Sequence, residues 1–135
     1  MDIEYRDEPP SPEDFARLFE STGWNADYGL TADELAAALA ASSFAVSASA
    51  GGRTVGCGRV VSDGVLHALI VDVIVDPAFQ RHGIGRALMR RLVAECRGRG
   101  IRDVQLFCAT GKRGFYERLG FVARAEESPG MELRR

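Results

Sequence analysis

The sequence has few cysteines, almost no net charge and no long hydrophobic run, and each shortage excludes a class of protein. Its 135 residues contain three cysteines, Cys57, Cys96 and Cys108, and no C-x-x-C pair. An odd number without that spacing argues against a disulfide framework or a zinc site and favours a reducing compartment. A net charge of −2 argues against a dedicated nucleic-acid binder.

Membrane insertion and secretion are not indicated either. The longest apolar run is interrupted by Asp72 and is too short to span a bilayer. The opening residues, MDIEYRDEPPSP, are acidic and proline-rich, unlike a signal peptide. We therefore expect a soluble, cytoplasmic protein, and the lack of repeats and linkers predicts one domain over residues 1–135.

Charge is unevenly distributed along the chain. Residues 1–40 contain ten acidic side chains and two basic ones, whereas residues 81–113 contain nine Lys or Arg and two acidic residues. Two solvated faces would explain this pattern, and so would an anionic ligand bound by the second half.

Periodicity and capping signals predict a mixed α/β sheet with the order β-α-α-β-β-β-α-β-α-β-β. Ser11 and Thr31, each followed three residues later by an acidic residue, predict two helix starts. The Asp-Gly pair at 63–64 predicts a hairpin that leads directly into the strand VLHALIVDVIV. A short helix, GFYERL, should end at Gly120, and FVAR (121–124) and MELR (131–134) should form two closing strands.

The segment QRHGIGRAL places two glycines and two arginines where a helix should begin. A helix N-terminus has unpaired N–H groups and a partial positive charge, so Gly83, Gly85, Arg81 and Arg86 favour a phosphate-bearing ligand. A Rossmann fingerprint is excluded because Leu88 stands where its third small residue belongs. ATGKRG lacks the first glycine and the Ser/Thr of a P-loop.

These residues resemble the GNAT superfamily of acyl-CoA-dependent N-acyltransferases. Its phosphate loop, Q/R-x-x-G-x-G/A, is matched by QRHGIG at 80–85, and GFYERLGF at 114–121 matches a second family segment. The resemblance covers essentially the whole chain and implies central strands that splay apart to admit the pantetheine arm. The positions that it implies for coenzyme A are Val73, Ile74, Val75, Gln80, Arg81, His82, Gly83, Ile84, Gly85, Arg86, Lys112 and Tyr116.

The same resemblance assigns Tyr116 the role of protonating the leaving thiolate, whereas helical spacing alone would also suit a buried face with Phe115. The family often has Asn and Ala where this chain has Ala109 and Lys112. That departure puts one usual coenzyme contact in doubt, while Lys112 could meet a phosphate. Val73 or Ile74 would supply the backbone N–H for the oxyanion.

Asp72 is a carboxylate inside an apolar strand and should have a partner or line a cleft. It could bind the substrate ammonium or accept its proton, or it could form a structural salt bridge, with Arg59 as the candidate partner. His67 is a weaker candidate base. Cys108 suits a small buried hydrophobe better than an acyl-cysteine intermediate.

Trp24 and Tyr28 fall in the loop between the first two helices and could line an acceptor pocket or simply pack under the loop. The sequence thus predicts acetyl transfer from acetyl-CoA to a primary amine of a small molecule, by direct attack in a ternary complex and with no metal. A non-catalytic acyl-CoA sensor and a protein N-acetyltransferase are the alternatives. A homodimer is possible under any of these readings.

Overall fold

A computed structural model of the chain describes residues 2–135. They comprise two compact units, one reaching to Gln105 and one from Leu106 to Arg135. The elements are β1 (Ile3–Arg6), α1 (Pro12–Ser21), α2 (Asn25–Tyr28), α3 (Ala32–Ala40), β2 (Phe44–Ala50), β3 (Arg53–Ser62), β4 (His67–Val75), a 3-10 turn (Pro77–Phe79), α4 (Ile84–Gly98), β5 (Asp103–Leu106) and α5 (Arg113–Glu117).

The five strands form one sheet in the order β1-β2-β3-β4-β5. The first four pair antiparallel. The amides of Arg102 and Asp103 bond to the carbonyls of Val65 and Leu66, so β5 runs parallel to β4. The mixed sheet predicted from the sequence is therefore confirmed. Because β5 has four residues and β4 has nine, the last residues of β4 extend beyond β5.

Local capping explains the first helices. Ser11 accepts a hydrogen bond from the amide of Asp14, and Thr31 and Glu34 form a reciprocal capping box, as predicted. The segment expected as a loop contains α2, a single turn that ends at Gly29 in the left-handed conformation (φ 65°). That prediction was wrong in detail, because four residues are too few to show helical periodicity.

The hairpin at 63–64 is also longer than predicted. Asp63 Oδ1 accepts hydrogen bonds from the amides of Val65, Leu66 and His67, so those residues curve around the carboxylate and β4 begins at His67. Val65 and Leu66 are exposed, so burial of their side chains does not favour an extended strand at these two residues.

Two layers of helix enclose the sheet. Cys57 packs in a cluster with Phe15 and Leu18 of α1, whereas the position of Gly58 meets Leu92 of α4. Since neighbouring residues of a strand point to opposite faces, α1 and α4 lie on opposite sides of the sheet. The face of α4 that is buried consists of Ile84, Leu88, Met89, Leu92 and Cys96.

The second unit differs from the prediction. Helix α5 ends at Glu117 and a turn carries the chain to Gly120 (φ 97°). Residues 121–124 and 131–134 are not strands. Both predicted closing strands are therefore absent, because an isolated pair of four-residue strands is marginal and Val122, Met131 and Leu133 remain exposed. Whether residues 1–135 behave as one domain stays a prediction.

Candidate functional site

The centre of β4 contains a β-bulge. Cys57 pairs with Ile74 and Arg59 pairs with Val71, so Asp72 and Val73 together stand opposite Gly58 without register partners. Asp72 has a φ of 52°, a left-handed conformation that few residues other than glycine adopt but that Asp and Asn tolerate. The bulge thus takes two residues of β4 out of the regular ladder at the point where the sequence predicts the acyl group to bind.

Asp72 is held by an ion pair. Its Oδ2 accepts a hydrogen bond from Arg59 Nε at 2.7 Å, and both side chains are largely buried. Arg59 Nη1 also donates to the carbonyl of Ala38 and to Ser42 Oγ, each at 3.3 Å. The salt bridge that the sequence left as an alternative is therefore present, and it gives the buried carboxylate its counter-charge.

Cys57 completes the surroundings of the bulge. Its thiol lies 3.9 Å from the carbonyl oxygen of Asp72. Burial, with the nearby Asp72 charge as a second cause, raises the pKa of Cys57 to about 12. The thiol therefore stays protonated at neutral pH and behaves as a packed hydrophobe rather than as a nucleophile.

A compact turn connects β4 to α4. Asp76 accepts from the amide of Ala78, and its Oδ2 lies 3.5 Å from Arg17 Nη1. Gln80 Nε2 donates to the carbonyl of Val75 at 3.2 Å, and His82 Nδ1 lies 3.1 Å from the carbonyl oxygen of Phe79. The side chains of Gln80 and His82 thus shape the turn, which leaves their backbone as the part available to a ligand.

The turn ends in an anion-binding geometry. Arg81 (φ 66°) and Gly83 (φ 77°) are both left-handed, a pattern that directs successive N–H groups toward one side. Within residues 2–135, no acceptor bonds to the amides of Gly83, Ile84, Gly85 or Arg86. The guanidinium groups of Arg81 and Arg86 form no ion pair within those residues either. Unpaired amides and two free cations suit a phosphate.

The second unit contains the other two predicted residues. Tyr116 lies on α5, its ring 5.1 Å from that of Phe115 and 6.2 Å from that of Phe121. Burial, and then the charge of Cys108, raises the pKa of Tyr116, so its phenol is protonated at neutral pH. Cys108 itself is exposed, so the prediction of a buried residue there was wrong. Lys112 precedes the helix, with its carbonyl bonded to the amide of Tyr116 at 3.1 Å.

On the α1 side of the sheet, Trp24 and Tyr28 pack around Phe19. Their ring centroids lie 5.8 Å and 6.1 Å from that of Phe19, which itself belongs to the buried cluster containing Cys57 and Ile74. Trp24 is 41% exposed and Tyr28 is 53% exposed. The two rings therefore both pack on the core and present a surface to solvent.

The bulge and its glycine were not predicted. TVGCGRVV places Gly56 and Gly58 inside a strand, where a glycine often marks a bulge or a close approach. A Cβ at Gly58 would lie 2.7 Å from Leu92 Cδ1 and 3.3 Å from Val73 Cγ2. That pair of glycines was the available signal.

Comparison with known proteins gives consistent matches. The model of the Acetyltransferase (GNAT) family matches residues 4–121. Serotonin N-acetyltransferase 2, chloroplastic, of Oryza sativa subsp. japonica is 40% identical over 89 residues, 66% of this chain and 44% of that protein. GCN5-related N-acetyltransferase 1, chloroplastic, of Arabidopsis thaliana is 42% identical over 79 residues, 58% of this chain and 40% of that protein. The chain thus spans less than half the length of either relative.

Solved structures show the same fold. A GNAT-family acetyltransferase from Streptococcus pneumoniae TIGR4 is 28% identical and superposes with a TM-score of 0.79, covering 99% of this chain and 97% of its own.

Among residues 2–135, no helix is long and apolar enough to cross a membrane.

Proposed function

The chain belongs to the GNAT acetyltransferase family, and from that premise we propose that it transfers an acetyl group from acetyl-CoA to a primary amine of a small molecule. The observation that carries the proposal is the run of unpaired amides at residues 83–86, directly after a strand with a bulge. That combination offers donors for a diphosphate at the end of the strand and an irregular backbone within it.

The residues of this turn fit the diphosphate of coenzyme A. The amides of residues 81–86 would bind its oxygens, and Arg81 and Arg86 would neutralise its charge. The left-handed φ of Gly83 is accessible to glycine without strain, and no heavy atom lies within 4 Å of where its Cβ would be. An anion can therefore approach the backbone closely.

Acetyl-CoA, when bound, supplies an acetyl group already activated as a thioester, so the chain needs no nucleophile of its own. The backbone of Val73 and Val75 would hold the pantetheine arm as an added strand does. Val73 lies outside the β3 register, whereas Ile74 is paired with Cys57. We therefore assign the N–H of Val73, rather than that of Ile74, to the acetyl carbonyl oxygen.

Tyr116 is the proton donor in this proposal. Because burial raises its pKa, the phenol carries its proton across the neutral range and can donate it from Oη to the departing sulfur. Lys112, immediately before the same short helix, would bind a phosphate of the cofactor.

The acceptor would bind against Trp24 and Tyr28. These exposed rings suit an apolar or aromatic body, and the acidic side chains of residues 1–40 attract a cationic amine. Their exposure also favours a second candidate, a protein or peptide acceptor, because an open surface admits a chain that an enclosed pocket would exclude.

A panel assay tests the proposal. The purified protein is mixed with acetyl-CoA and aromatic amines, polyamines, aminoglycosides, amino acids or peptides, and free thiol is measured. We expect release with at least one small amine and binding of coenzyme A by calorimetry. If coenzyme A binds but no acceptor in the panel causes thiol release, the protein is a sensor instead. Thiol release with peptides alone would indicate the second candidate, a protein or peptide acceptor.

A further inference from the structure

Three consecutive residues of β3 are shaped around the bulge in β4. The thiol of Cys57 lies beside the carbonyl of Asp72, Gly58 faces Val73, and Arg59 pairs with the carboxylate of Asp72. Cys57 and Arg59 act from the α1 side of the sheet and Gly58 from the α4 side. The bulge is therefore fixed from both faces by a neighbouring strand.

The conformation needs such a constraint. A left-handed residue other than glycine is unfavourable and persists only where its surroundings determine it. Asp72 is such a residue (φ 52°), and the bond from Arg59 Nε to its carboxylate, at 2.7 Å, is the shortest of the three hydrogen bonds that the Arg59 side chain makes. Charge-assisted bonds in a largely buried setting are the strong ones.

Gly58 supplies the space. Any side chain there would enter the volume of Leu92 Cδ1 at 2.7 Å, and Leu92 is fully buried. Val73 would be displaced as well, since its Cγ2 lies 3.3 Å from the same point. Close packing thus sets the position of the Val73 backbone on the α4 face while the ion pair sets Asp72 on the other.

Arg59 also connects the bulge to the helices on the acceptor side. Its Nη1 bonds to the carbonyl of Ala38 near the end of α3 and to Ser42, and its guanidinium carbon lies 5.9 Å from the ring centroid of Phe15. One side chain therefore ties α1, α3 and the bulge together.

We infer that Arg59 is a positioning residue for acyl transfer: through Asp72 it holds the bulge, and so places the N–H of Val73 where the acetyl carbonyl binds. Asp72 is then the anchor of this arrangement and not the base that accepts the amine proton. The inference rests on the proposed function, because the position of Val73 matters to catalysis only if the thioester carbonyl binds there.

Two substitutions separate an anchor from a base. Arg59→Met removes the cation but keeps the apolar stem. Asp72→Asn keeps an oxygen that accepts from Arg59 Nε and a residue that tolerates the left-handed conformation, but it cannot accept a proton. We expect Arg59→Met to lower kcat by roughly 100-fold, the scale of a misplaced catalytic group, and to raise KM for acetyl-CoA much less, because the turn proposed to bind the diphosphate is untouched. Asp72→Asn leaves the Arg59 cation without its counter-charge and should lower stability. Because its amide oxygen still accepts from Arg59 Nε, it should keep most of the wild-type kcat.

A base predicts the reverse pattern, in which Asp72→Asn loses turnover and Arg59→Met keeps it. That result would overturn the inference. Arg53→Met is the matched control, since Arg53 is an exposed arginine on the same strand, and it should behave as the wild type. If Arg59→Met does not fold, the double variant Arg59→Met with Asp72→Asn has no unpaired buried charge and should show the same loss of kcat.

A second readout needs no turnover. Amide hydrogen exchange at residues 72 and 73 should become faster in Arg59→Met, while exchange in α4 stays as in the wild type. If the wild type releases no thiol with any amine, the proposed function fails and this measurement still tests the anchor. If the wild type is active and Arg59→Met matches it in both kcat and exchange, the proposed function stands and the inferred positioning role of Arg59 is wrong.

Discussion

Residues 2–105 and residues 106–135 hold different parts of the proposed machinery and are stabilised in different ways. Every buried hydrophobic residue of the described chain lies between Phe15 and Ile101, and none lies after Leu106. The first region offers backbone groups fixed by a packed core, at the bulge and at residues 83–86. The second offers a side chain, Tyr116, on a five-residue helix.

The difference separates stability from chemistry. In the first region a substitution that disturbs the bulge should affect both, because the backbone groups proposed to bind the thioester are held in place by the core. In the second region a substitution at Tyr116 should affect turnover alone, because little of the folding energy comes from residues 106–135. Each of the following changes either sharpens that contrast or breaks it.

The largest effect should come from Tyr116→Phe. This change removes only the hydroxyl and keeps the ring beside Phe115 and Phe121. Loss of a general acid typically lowers kcat by about 10²- to 10⁴-fold. We expect that loss with unchanged affinity for coenzyme A in calorimetry and an unchanged melting temperature. Tyr5→Phe, on β1, is the control and should retain full turnover.

The pH dependence of the wild type gives an independent check on Tyr116. A general acid must be protonated, and burial followed by the Cys108 charge raises the pKa of this phenol. The contribution of Tyr116 to kcat should therefore persist through the neutral and mildly alkaline range and fall only at a pH above that at which an ordinary tyrosine phenol ionises. A fall already complete near pH 8 that Tyr116→Phe abolishes would contradict the assignment.

The second effect concerns the folding stability of the first region at alkaline pH. In the unfolded chain the Cys57 thiol ionises near pH 9.0, whereas in the folded protein its pKa is about 12. Because the folded-state pKa is the higher one, the contribution of the protonated Cys57 thiol to the free energy of unfolding is full below pH 9. That contribution is lost as the pH rises to 12. The three-unit difference corresponds to about 4 kcal/mol in the free energy of unfolding.

Urea titrations across this range measure that loss. Cys57→Ala should have a flatter dependence of unfolding free energy on pH, whatever its stability at neutral pH. Cys108→Ala, which alters an exposed thiol in the second region, should retain the wild-type slope. Equal slopes for wild type and Cys57→Ala would show that the buried thiol does not control alkaline stability.

Gly58→Ala should have a smaller but combined effect. The new Cβ would lie 2.7 Å from Leu92 Cδ1, and overpacking of a close-packed core typically costs about 1–3 kcal/mol. Because Val73 must move as well, kcat should fall together with stability. Gly98→Ala on α4 has nothing within 4 Å of its new Cβ, so it should leave kcat unchanged and should not lower stability, since alanine favours a helix more than glycine does. A stable Gly58→Ala variant with full turnover would separate the bulge from catalysis.

The same contrast explains how much of the molecule could be predicted. Helix starts at Ser11 and Thr31 and the turn at residues 80–85 are encoded within a few residues, so their sequence signals were sufficient. The bulge depends on contacts between strands: Asp72 needs Arg59, which is 13 positions away. The sequence indicates both a salt bridge between Asp72 and Arg59 and a proton-accepting role for Asp72, and it contains no local signal that favours one over the other.

The closing strands failed for a related reason. Alternating apolar residues at 121–124 and 131–134 satisfy the pattern of a strand, but a strand forms only where a partner pairs with it. Tyr116 was placed on its helix correctly because the signals of that helix are local. Its role still depends on the family resemblance, which no contact within residues 106–135 can replace.

The smallest effect on stability should come from Leu133→Ala. This change tests whether the exposed apolar residues Val122, Met131 and Leu133 contact another molecule in solution. Leu133 is 95% exposed, and a surface substitution typically changes stability by no more than about 0.5 kcal/mol. Leu92→Ala is the matched change in the first region: Leu92 is 0% exposed, and such truncations typically cost about 2–5 kcal/mol. If Leu133→Ala lowers the free energy of unfolding as much as Leu92→Ala does, and if that loss depends on protein concentration, residues 131–134 must pack against a second copy of the chain. The second region would then have a core of its own, and the contrast between a packed scaffold and an exposed helix with the proposed proton donor would hold only for the isolated monomer.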